Sequence, residues 1–415
     1  MIARPESWSR PADRPRAALA GAVAILVFLG AWTLLHHGFY TRGHIIDTPV
    51  YENYGDAMAA GQVPYRDFRP EYPPAALPVF VLPSLGHGGD FGAFRRTFET
   101  LMAVCGAAGL AFLAIALLAL EADGRRLAAV LAFAALAPLA LGSVVLSRFD
   151  LWPTALTVAG LAAVLARRER LGAGVLGVAA AAKVFPAVLL PPALIYVWRR
   201  RGAREALVCA AVSAAAVAAC FVPFLVLAPH GVWASLHRQA ARPLQIESLA
   251  SAFLLAAHQL WGLVLTMRSS NGSQNLAGSL PDALATAQTV VQIGVVVALW
   301  VAFARGPAER ERLVRYSAAA LTAFVAFGKV LSPQFLIWLV PLVPLVRGRR
   351  GLAAAGLLAA ALVLTQLWFP YRYWNLALRF AALPSWLVLA RDLVLVALVA
   401  VLAVPTRPRP GQVRS

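Results

Sequence analysis

Charged and polar side chains interrupt long apolar stretches at five places in this chain of 415 residues. The five places are Asp47, the Arg148–Asp150 turn, Lys183, the run 237–248 and the run 329–334. Ionisable groups at membrane depth are costly, so each needs a structural or a chemical reason. Together they offer a loop carboxylate, Asp47, beside several fixed cations, a set that can deprotonate a hydroxyl and stabilise an anionic leaving group.

A sugar carried on a lipid phosphate requires this set of side chains. The attacking hydroxyl needs a base within hydrogen-bond reach, whereas the departing phosphate is already anionic and needs cations rather than an acid. Glycoside hydrolases differ, because their poor leaving group must be protonated by a second carboxylic acid.

The elements that position these groups are predicted to be membrane helices. Hydrophobic residues make up 60% of the chain and charged residues 13%, and the mean hydropathy is +0.71. A soluble domain carries about 25% charged residues. The net charge of +18 would suggest nucleic-acid binding in a soluble protein. Here the excess lies between apolar segments, so we expect membrane lipids and not nucleic acid as partners.

The topology follows from the placement of arginine. Residues 17–35 carry no charge, follow four arginines and lack a small-residue cleavage site, which predicts an uncleaved first span with the amino terminus inside. Basic clusters then recur at alternate connections, as in cytoplasmic loops. We therefore expect a single integral membrane domain, 1–415, with about twelve crossings, both termini cytoplasmic and a cytoplasmic tail, 404–415, in the inner (plasma) membrane. Further spans that we take as charge-free lie near 101–120, 127–147, 151–166, 206–228, 283–304, 316–328, 330–346, 351–371 and 385–403.

Two segments do not fit a simple crossing. The stretch 171–198 is too long for one span and is interrupted by Lys183 and Pro186, which predicts a hairpin of two short helices. Segment 249–266 is better placed as an outer-surface or re-entrant helix.

The first external loop, 41–96, is far longer than ordinary helix–helix connections. It holds six of the 19 acidic residues. Asp47-Thr48-Pro49 is typical of a helix start and Gly61 of a stop, which predicts a helix on the membrane surface. Tyr72-Pro73-Pro74 begins a second apolar stretch that continues to Leu82.

Each candidate residue also has a purely structural alternative. Asp47 is a suitable helix N-cap, and a lysine near a helix end commonly extends its ammonium to water. Arg148 and Asp150 are close enough in sequence to form a local ion pair. The run 237–248 suits a solvated loop, and the loop tyrosines suit interfacial anchors. These alternatives stay open at the level of single residues.

Taken together, the motifs resemble a known family. The string DTPVYENYGDAMAAGQVPYRDFRPEYPP, residues 47–74, resembles the signature of the GT87 polyprenol-phosphate-mannose-dependent mannosyltransferases, also called the DUF2029 family, in the GT-C class. The later strings 183–186 (KVFP) and 332–335 (SPQF), followed by Trp338, are similar to that family's Lys-x-x-Pro and Ser-Pro-Gln-aromatic elements. The resemblance touches the first, middle and last thirds of the chain.

The resemblance implies an all-α, polytopic GT-C-like helical bundle and an inverting glycosyltransferase. The donor would be a polyprenyl-phosphate sugar, with mannose expected, and the acceptor an envelope glycolipid or glycan on the external face. Asp47 would be the catalytic base. The remaining site residues are assigned by role: the donor phosphate would meet Lys183, Lys329, Arg148 and Arg242, and the sugar or acceptor would meet Tyr51, Tyr65, Tyr72, Gln245, Glu247 and Gln334. The loop lacks a tight Asp-x-Asp pair, so we expect no metal and no cofactor.

Two other classes of function remain as alternatives. A secondary transporter or lipid flippase would also have about a dozen helices, but such proteins commonly repeat their architecture. The acid-rich first loop has no counterpart in the second half of this chain. A non-catalytic scaffold would be favoured only if Asp47 proved dispensable.

Overall fold

A computed structural model describes residues 13–42, 45–86 and 89–404, and in these ranges it is predominantly helical. The arginines before residue 13 and most of the expected tail, 404–415, lie outside the described residues. The α-helices are Asp13–Leu34 (α1), Thr48–Ala59 (α2), Pro78–Ser84 (α3), Phe91–Ala119 (α4), Gly124–Leu141 (α5), Leu151–Leu165 (α6), Glu169–Ala182 (α7), Leu190–Arg201 (α8), Ala203–Leu227 (α9), Pro229–Ala240 (α10), Leu249–Trp261 (α11), Ser279–Ala304 (α12), Arg310–Ala326 (α13), Leu336–Leu339 (α14), Gly348–Trp368 (α15), Tyr373–Arg379 (α16) and Ala382–Ala403 (α17). Short 3₁₀ helices are Gly38–Thr41, Pro74–Ala76, Gly142–Val145, Phe185–Leu189 and Pro333–Phe335.

Seven of these helices are long and apolar enough to cross a bilayer: α1, α4, α5, α9, α12, α15 and α17. Helix α9 is the most lipid-like, because only 6% of its most apolar window is buried against the rest of the chain. The all-α, polytopic membrane architecture predicted from the sequence is therefore confirmed. The count of about twelve crossings stays a prediction, since the other helices are shorter.

The ends of the bundle differ in composition. We call one the arginine end, where the clusters around Arg126, Arg170, Arg201 and Arg312 lie, and the other the site end, where the loop 45–86 lies. Helix α4 begins at the site end with Asp90, whose carboxylate accepts hydrogen bonds from the backbone of Gly92 and Ala93. This is ordinary N-capping, which satisfies amide groups that a helix start leaves free.

Small residues let the central helices approach closely. Gly160 of α6 faces Gly172 of α7, where a Cβ atom added to Gly172 would lie 2.7 Å from the Gly160 carbonyl oxygen. Membrane helices pack in this way because lipid tails give no hydrophobic driving force between them, so close backbone contact must hold them together.

Two helix breaks at the site end position the polar groups. Helix α7 ends at Ala182, Lys183 follows in extended backbone, and the chain continues through Phe185–Leu189 into α8. The expected hairpin of two short helices is present. Helix α13 ends at Ala326, and the chain runs through Pro333–Phe335 into α14.

A two-stranded antiparallel sheet, Thr266–Ser270 (β1) with Ser273–Ala277 (β2), was not predicted from the sequence. It holds the loop before α11 in place: the Ile246 amide donates to the Gln274 carbonyl at 3.0 Å, and the Leu276 amide donates to the Leu244 carbonyl at 2.9 Å. The segment 249–266 contains one short apolar helix, α11, and ends at the first residue of β1.

Candidate active site

Asp47 occupies the N-cap position of α2 but does not cap it with its side chain. Its carboxylate instead forms an ion pair with the Arg148 guanidinium and lies 3.4 Å from the Tyr51 hydroxyl, which donates to it. The side chain is partly exposed. The Asp47 carboxylate therefore does not cap the helix, which was the purely structural alternative. Its oxygens face a buried cation instead.

Arg148 is buried in the turn between Gly142–Val145 and α6. One of its amino nitrogens donates to the Ile45 carbonyl at 3.3 Å, so Arg148 ties the segment before α2 to the bundle. Burial lowers the pKa of Arg148 to about 10, with the Asp150 carboxylate opposing the shift, and the group remains charged at neutral pH. Its Nε atom has no hydrogen-bond partner among the described residues.

Asp150 and Lys183 form a second ion pair at the start of α6. The Lys183 ammonium donates to Asp150 Oδ1 at 2.7 Å, and the Trp338 indole nitrogen donates to the same oxygen at 2.6 Å. Asp150 Oδ2 is buried and has no partner in the described part of the chain. Arg148 and Asp150 thus do not form the local ion pair that the sequence allows. Arg148 pairs with Asp47, and Asp150 pairs with Lys183.

Aromatic rings surround the Lys183 ammonium. It lies 4.7 Å from the Phe149 ring centroid, 5.2 Å from that of Trp338 and 5.6 Å from that of Phe335. Ring quadrupoles attract a cation in this position and hold it in one place. The Ser-Pro-Gln-Phe string contributes here through Phe335, while Gln334 lies in the same short 3₁₀ helix.

The loop tyrosines form a packed aromatic wall. Tyr51 is buried and stacks on Phe80 at 4.6 Å between centroids, and Tyr72 meets Phe149 edge-on at 4.7 Å. The Tyr65 hydroxyl donates to the Tyr72 carbonyl at 2.6 Å, which fixes the loop between them. The structure therefore brings Tyr51 and Tyr72 close to Asp150, and Tyr51 also to Asp47, while Tyr65 supports the wall through the Tyr72 carbonyl.

The segment before α11 brings further polar groups to the same end. The Gln245 side chain donates to Glu247 and to the Ser332 hydroxyl, and the Gln245 amide donates to the Lys329 carbonyl at 3.0 Å. Burial raises the pKa of Glu247 to about 8, although nearby arginines including Arg148 oppose the shift. Glu247 is therefore largely protonated at neutral pH, and its Oε1 atom has no partner in the described ranges.

Arg242 and Lys329 have different surroundings. Burial lowers the pKa of Arg242, and the nearby Glu71 carboxylate opposes the shift. The Arg242 Nε atom is buried without a partner among the residues described. The Lys329 ammonium instead donates to the Ala240 carbonyl at the end of α10, at 2.9 Å and on the exposed side. The backbone carbonyl of Lys329 therefore contacts the site through Gln245, whereas its ammonium group is directed toward the end of α10.

Several residues of this cluster were not predicted from the sequence. Asp150 was not expected to pair with Lys183, although it is an acid between two apolar spans. The span 385–403 was expected to be charge-free, whereas Arg391 and Asp392 lie there fully buried. Arg391 donates to the Glu247 carbonyl at 2.7 Å, so this pair supports the same loop.

No group of three or more histidine, cysteine, aspartate or glutamate side chains that could hold a metal ion is found in residues 13–42, 45–86 and 89–404. The chemistry available in the described site is that of carboxylates, cations and aromatic rings. A partly exposed carboxylate beside buried guanidinium and ammonium groups can accept a proton while the cations hold an anion.

No curated protein matches the sequence of this chain. Among solved structures the chain is similar to ArnT from Cupriavidus metallidurans in two states. With undecaprenyl phosphate bound, ArnT shows 18% identity and a TM-score of 0.47, and the match covers 93% of this chain and 76% of ArnT. In the apo state, ArnT shows 17% identity and a TM-score of 0.47, and the match covers 94% of this chain and 77% of ArnT. A likeness at this level assigns neither the site nor the function.

The profile of glycosyltransferase family 87 matches residues 71–333. This range contains Arg148, Asp150, Lys183, Arg242 and Lys329, and it begins after Asp47. Because the matched range is more than half of the sequence, the chain belongs to glycosyltransferase family 87.

Proposed function

We propose that this multi-pass membrane glycosyltransferase moves mannose from a polyprenyl-phosphate donor to a hydroxyl of an envelope glycolipid or glycan. The observation that carries the proposal is the pairing of the partly exposed Asp47 carboxylate with buried Arg148, beside the buried Asp150–Lys183 pair. A base and an anion-binding group thus lie next to each other at one end of the bundle.

Asp47 acts as the base in this reaction. It takes the proton of the acceptor hydroxyl as that oxygen bonds to the anomeric carbon, and the bond from that carbon to the phosphate oxygen breaks. The electron pair leaves with the polyprenyl phosphate. Attack from the face opposite the phosphate inverts the anomeric configuration, and no acid is needed because the leaving group is already an anion.

Arg148, Arg242 and Lys183 hold the phosphate. Arg148 and Arg242 each have a buried Nε donor without a partner among the described residues, which is costly unless a ligand accepts from it. Asp150 and the surrounding rings fix the Lys183 ammonium at the same place. Lys329 contributes at longer range, because its ammonium is bound to the Ala240 carbonyl.

The sugar and acceptor pocket is formed by side chains of different kinds. Tyr72 offers a half-buried ring edge, supported by Tyr51 and Tyr65, and sugars pack against such surfaces. Glu247 in its protonated form donates a hydrogen bond to a sugar oxygen, and Gln245 orients it. Gln334, in the turn before α14, completes the pocket.

The site end faces the outside and both termini are cytoplasmic in this proposal. The arginine clusters at the opposite end support that orientation, because cytoplasmic loops carry an excess of positive charge. The inner (plasma) membrane is the expected location, and the donor's tail lies among the lipid-facing helices.

Measuring the free carrier lipid distinguishes a glycosyltransferase from a transporter or flippase. Purified protein is incubated with labelled polyprenyl-phosphate mannose and a lipid extract, and mannosylated product and free polyprenyl phosphate are measured together. We expect equal amounts of both. Movement of intact donor across a vesicle bilayer without free polyprenyl phosphate would instead identify a transporter or flippase.

A further inference from the structure

A recess at the site end is not used by the donor in the proposed function. It lies between the end of α1, the first turns of α4, the 3₁₀ helix Gly142–Val145 and Phe369–Pro370. Ile45, Ile46 and Thr48, which flank Asp47, form one wall, and Ser147, next to Arg148, also lines it. The recess therefore borders the two segments that carry Asp47 and Arg148. We call it the Glu99 recess.

Its floor carries a polar cluster centred on Glu99. The two Glu99 oxygens are bound separately: His36 Nε2 lies 3.0 Å from Oε2, and Arg95 Nε donates to Oε1 at 2.7 Å. The Glu99 side chain is only 12% exposed, so its position in the recess is fixed. A fixed carboxylate between two nitrogen groups offers acceptors and donors side by side, as vicinal hydroxyls require.

The remaining lining narrows the class of ligand. Thr41 and Ser143 add hydroxyl groups, and Tyr40 and Phe369 add aromatic surface. Glu99 disfavours an anionic ligand, and Arg95 disfavours a cationic one. A neutral molecule rich in hydroxyl groups satisfies all of these neighbours at once.

We propose that the Glu99 recess binds the sugar headgroup of the acceptor, a neutral glycan, and presents one hydroxyl to Asp47. This inference rests on the proposed role of Asp47 as base. The donor phosphate then lies on the Lys183 side of Asp47, and the acceptor on the Glu99 side. The same headgroup chemistry belongs to a glycolipid and to a soluble glycan.

Steady-state kinetics with Glu99→Gln test the assignment. The variant removes the charge that holds His36 and Arg95, so we expect the KM for the acceptor to rise about tenfold while the KM for the donor stays unchanged. Glu205→Gln is the matched control, because Glu205 also pairs with an arginine but lies at the arginine end. Ser143→Leu fills the recess without touching the Glu99 pairs, and should also raise the acceptor KM. Unchanged acceptor KM in both Glu99→Gln and Ser143→Leu overturns the proposal while leaving the transfer reaction in place.

Direct binding keeps the test independent of turnover. Saturation-transfer NMR is recorded on the protein in lipid nanodiscs with methyl α-mannoside as the soluble probe and octyl α-mannoside as the lipid-borne probe. We expect binding to wild type and loss of binding in Glu99→Gln. Binding of octyl mannoside alone assigns the recess to a glycolipid, and equal binding of both probes assigns it to the glycan itself. Absent binding to wild type, or equal binding to wild type and Glu99→Gln, overturns the proposal even if no transfer is detected.

Discussion

The two ends of the bundle use the same kinds of ion pair in different environments. At the arginine end, Arg170 and Glu205 meet through two hydrogen bonds of 2.7 Å, with side chains 62% and 25% exposed. At the site end, Lys183 and Asp150 are 16% and 1% exposed. Within the described residues, the buried carboxylate oxygens that lack a hydrogen-bond partner belong to Asp150, Glu247 and Asp392, and the arginine end contributes none of these oxygens. Buried Nε atoms without a partner occur at both ends, in Arg148 and Arg242 at the site end and in Arg126 and Arg310 at the arginine end.

This difference distinguishes charged groups that fix the position of the chain in the membrane from charged groups that are suited to a reaction. An exposed pair whose hydrogen bonds are satisfied adds little stability and fixes topology through its charge alone. A buried pair with free lone pairs costs energy in the unliganded protein, and such groups are commonly retained where a ligand completes them. The site end therefore carries groups suited to a substrate, and the arginine end carries groups suited to a lipid surface.

Breaking the buried pair should have the largest effect on stability. Asp150→Ala leaves the Lys183 ammonium buried without its partner, which we expect to lower the free energy of unfolding by about 3–5 kcal/mol. The measurement is reversible unfolding in mixed micelles. Glu205→Ala, the counterpart at the arginine end, should unfold like wild type. The double variant Asp150→Ala with Lys183→Met should recover much of the loss, and equal effects of Asp150→Ala and Glu205→Ala would remove the distinction between the two ends.

Removing the cation should act on the donor. Lys183→Ala is expected to raise the KM for polyprenyl-phosphate mannose about 10- to 100-fold, the amount that loss of a charged hydrogen bond gives, with a smaller change for the acceptor. Arg170→Ala should leave both constants unchanged. If donor binding to Lys183→Ala equals that of wild type, the phosphate must be assigned to Arg148 and Arg242 instead.

The pH dependence of stability gives the smallest effect over any single pH unit. Burial raises the pKa of Glu247 to about 8 from its ordinary value of 4.5, so the folded protein binds more protons than the unfolded chain between these two values. The contribution of Glu247 to stability is therefore present at low pH and is lost as pH rises from about 4.5 to 8, with a slope of at most about 1.4 kcal/mol per pH unit. Glu247→Gln should flatten this part of the curve of thermal midpoint against pH. Parallel curves for wild type and Glu247→Gln would contradict the assignment.

Local signals in the sequence predicted the helix breaks of the site. Pro49 after Asp47 marks the start of α2, because proline is favoured in a first helical turn. Pro186 after Lys183 marks the break between α7 and α8, because proline in a helix interior removes a backbone hydrogen bond. These features depend on neighbouring residues only. The all-α membrane class depends on composition, which is also visible without a structure.

Long-range partners were not predictable in the same way. Lys183 finds Asp150 33 positions earlier, and Trp338 meets the same carboxylate from 188 positions away. Nothing in spacing or charge selects these partners from the other ionisable groups at the same end. The β1–β2 hairpin was missed because its strands are short and polar, and the Arg391–Asp392 pair was missed because apolar residues surround it on both sides.

The proposed reaction depends most on Asp47, the base that takes the proton of the acceptor hydroxyl. The direct test compares Asp47→Asn with Asp67→Asn in turnover of labelled polyprenyl-phosphate mannose, with donor binding measured alongside. The two aspartates lie in the same loop, are 33% and 34% exposed, and each pairs with an arginine. We expect Asp47→Asn to lose at least about 100-fold in kcat while binding donor normally, and Asp67→Asn to remain active. Retained turnover by Asp47→Asn, or an equal loss in both variants, would contradict the central claim.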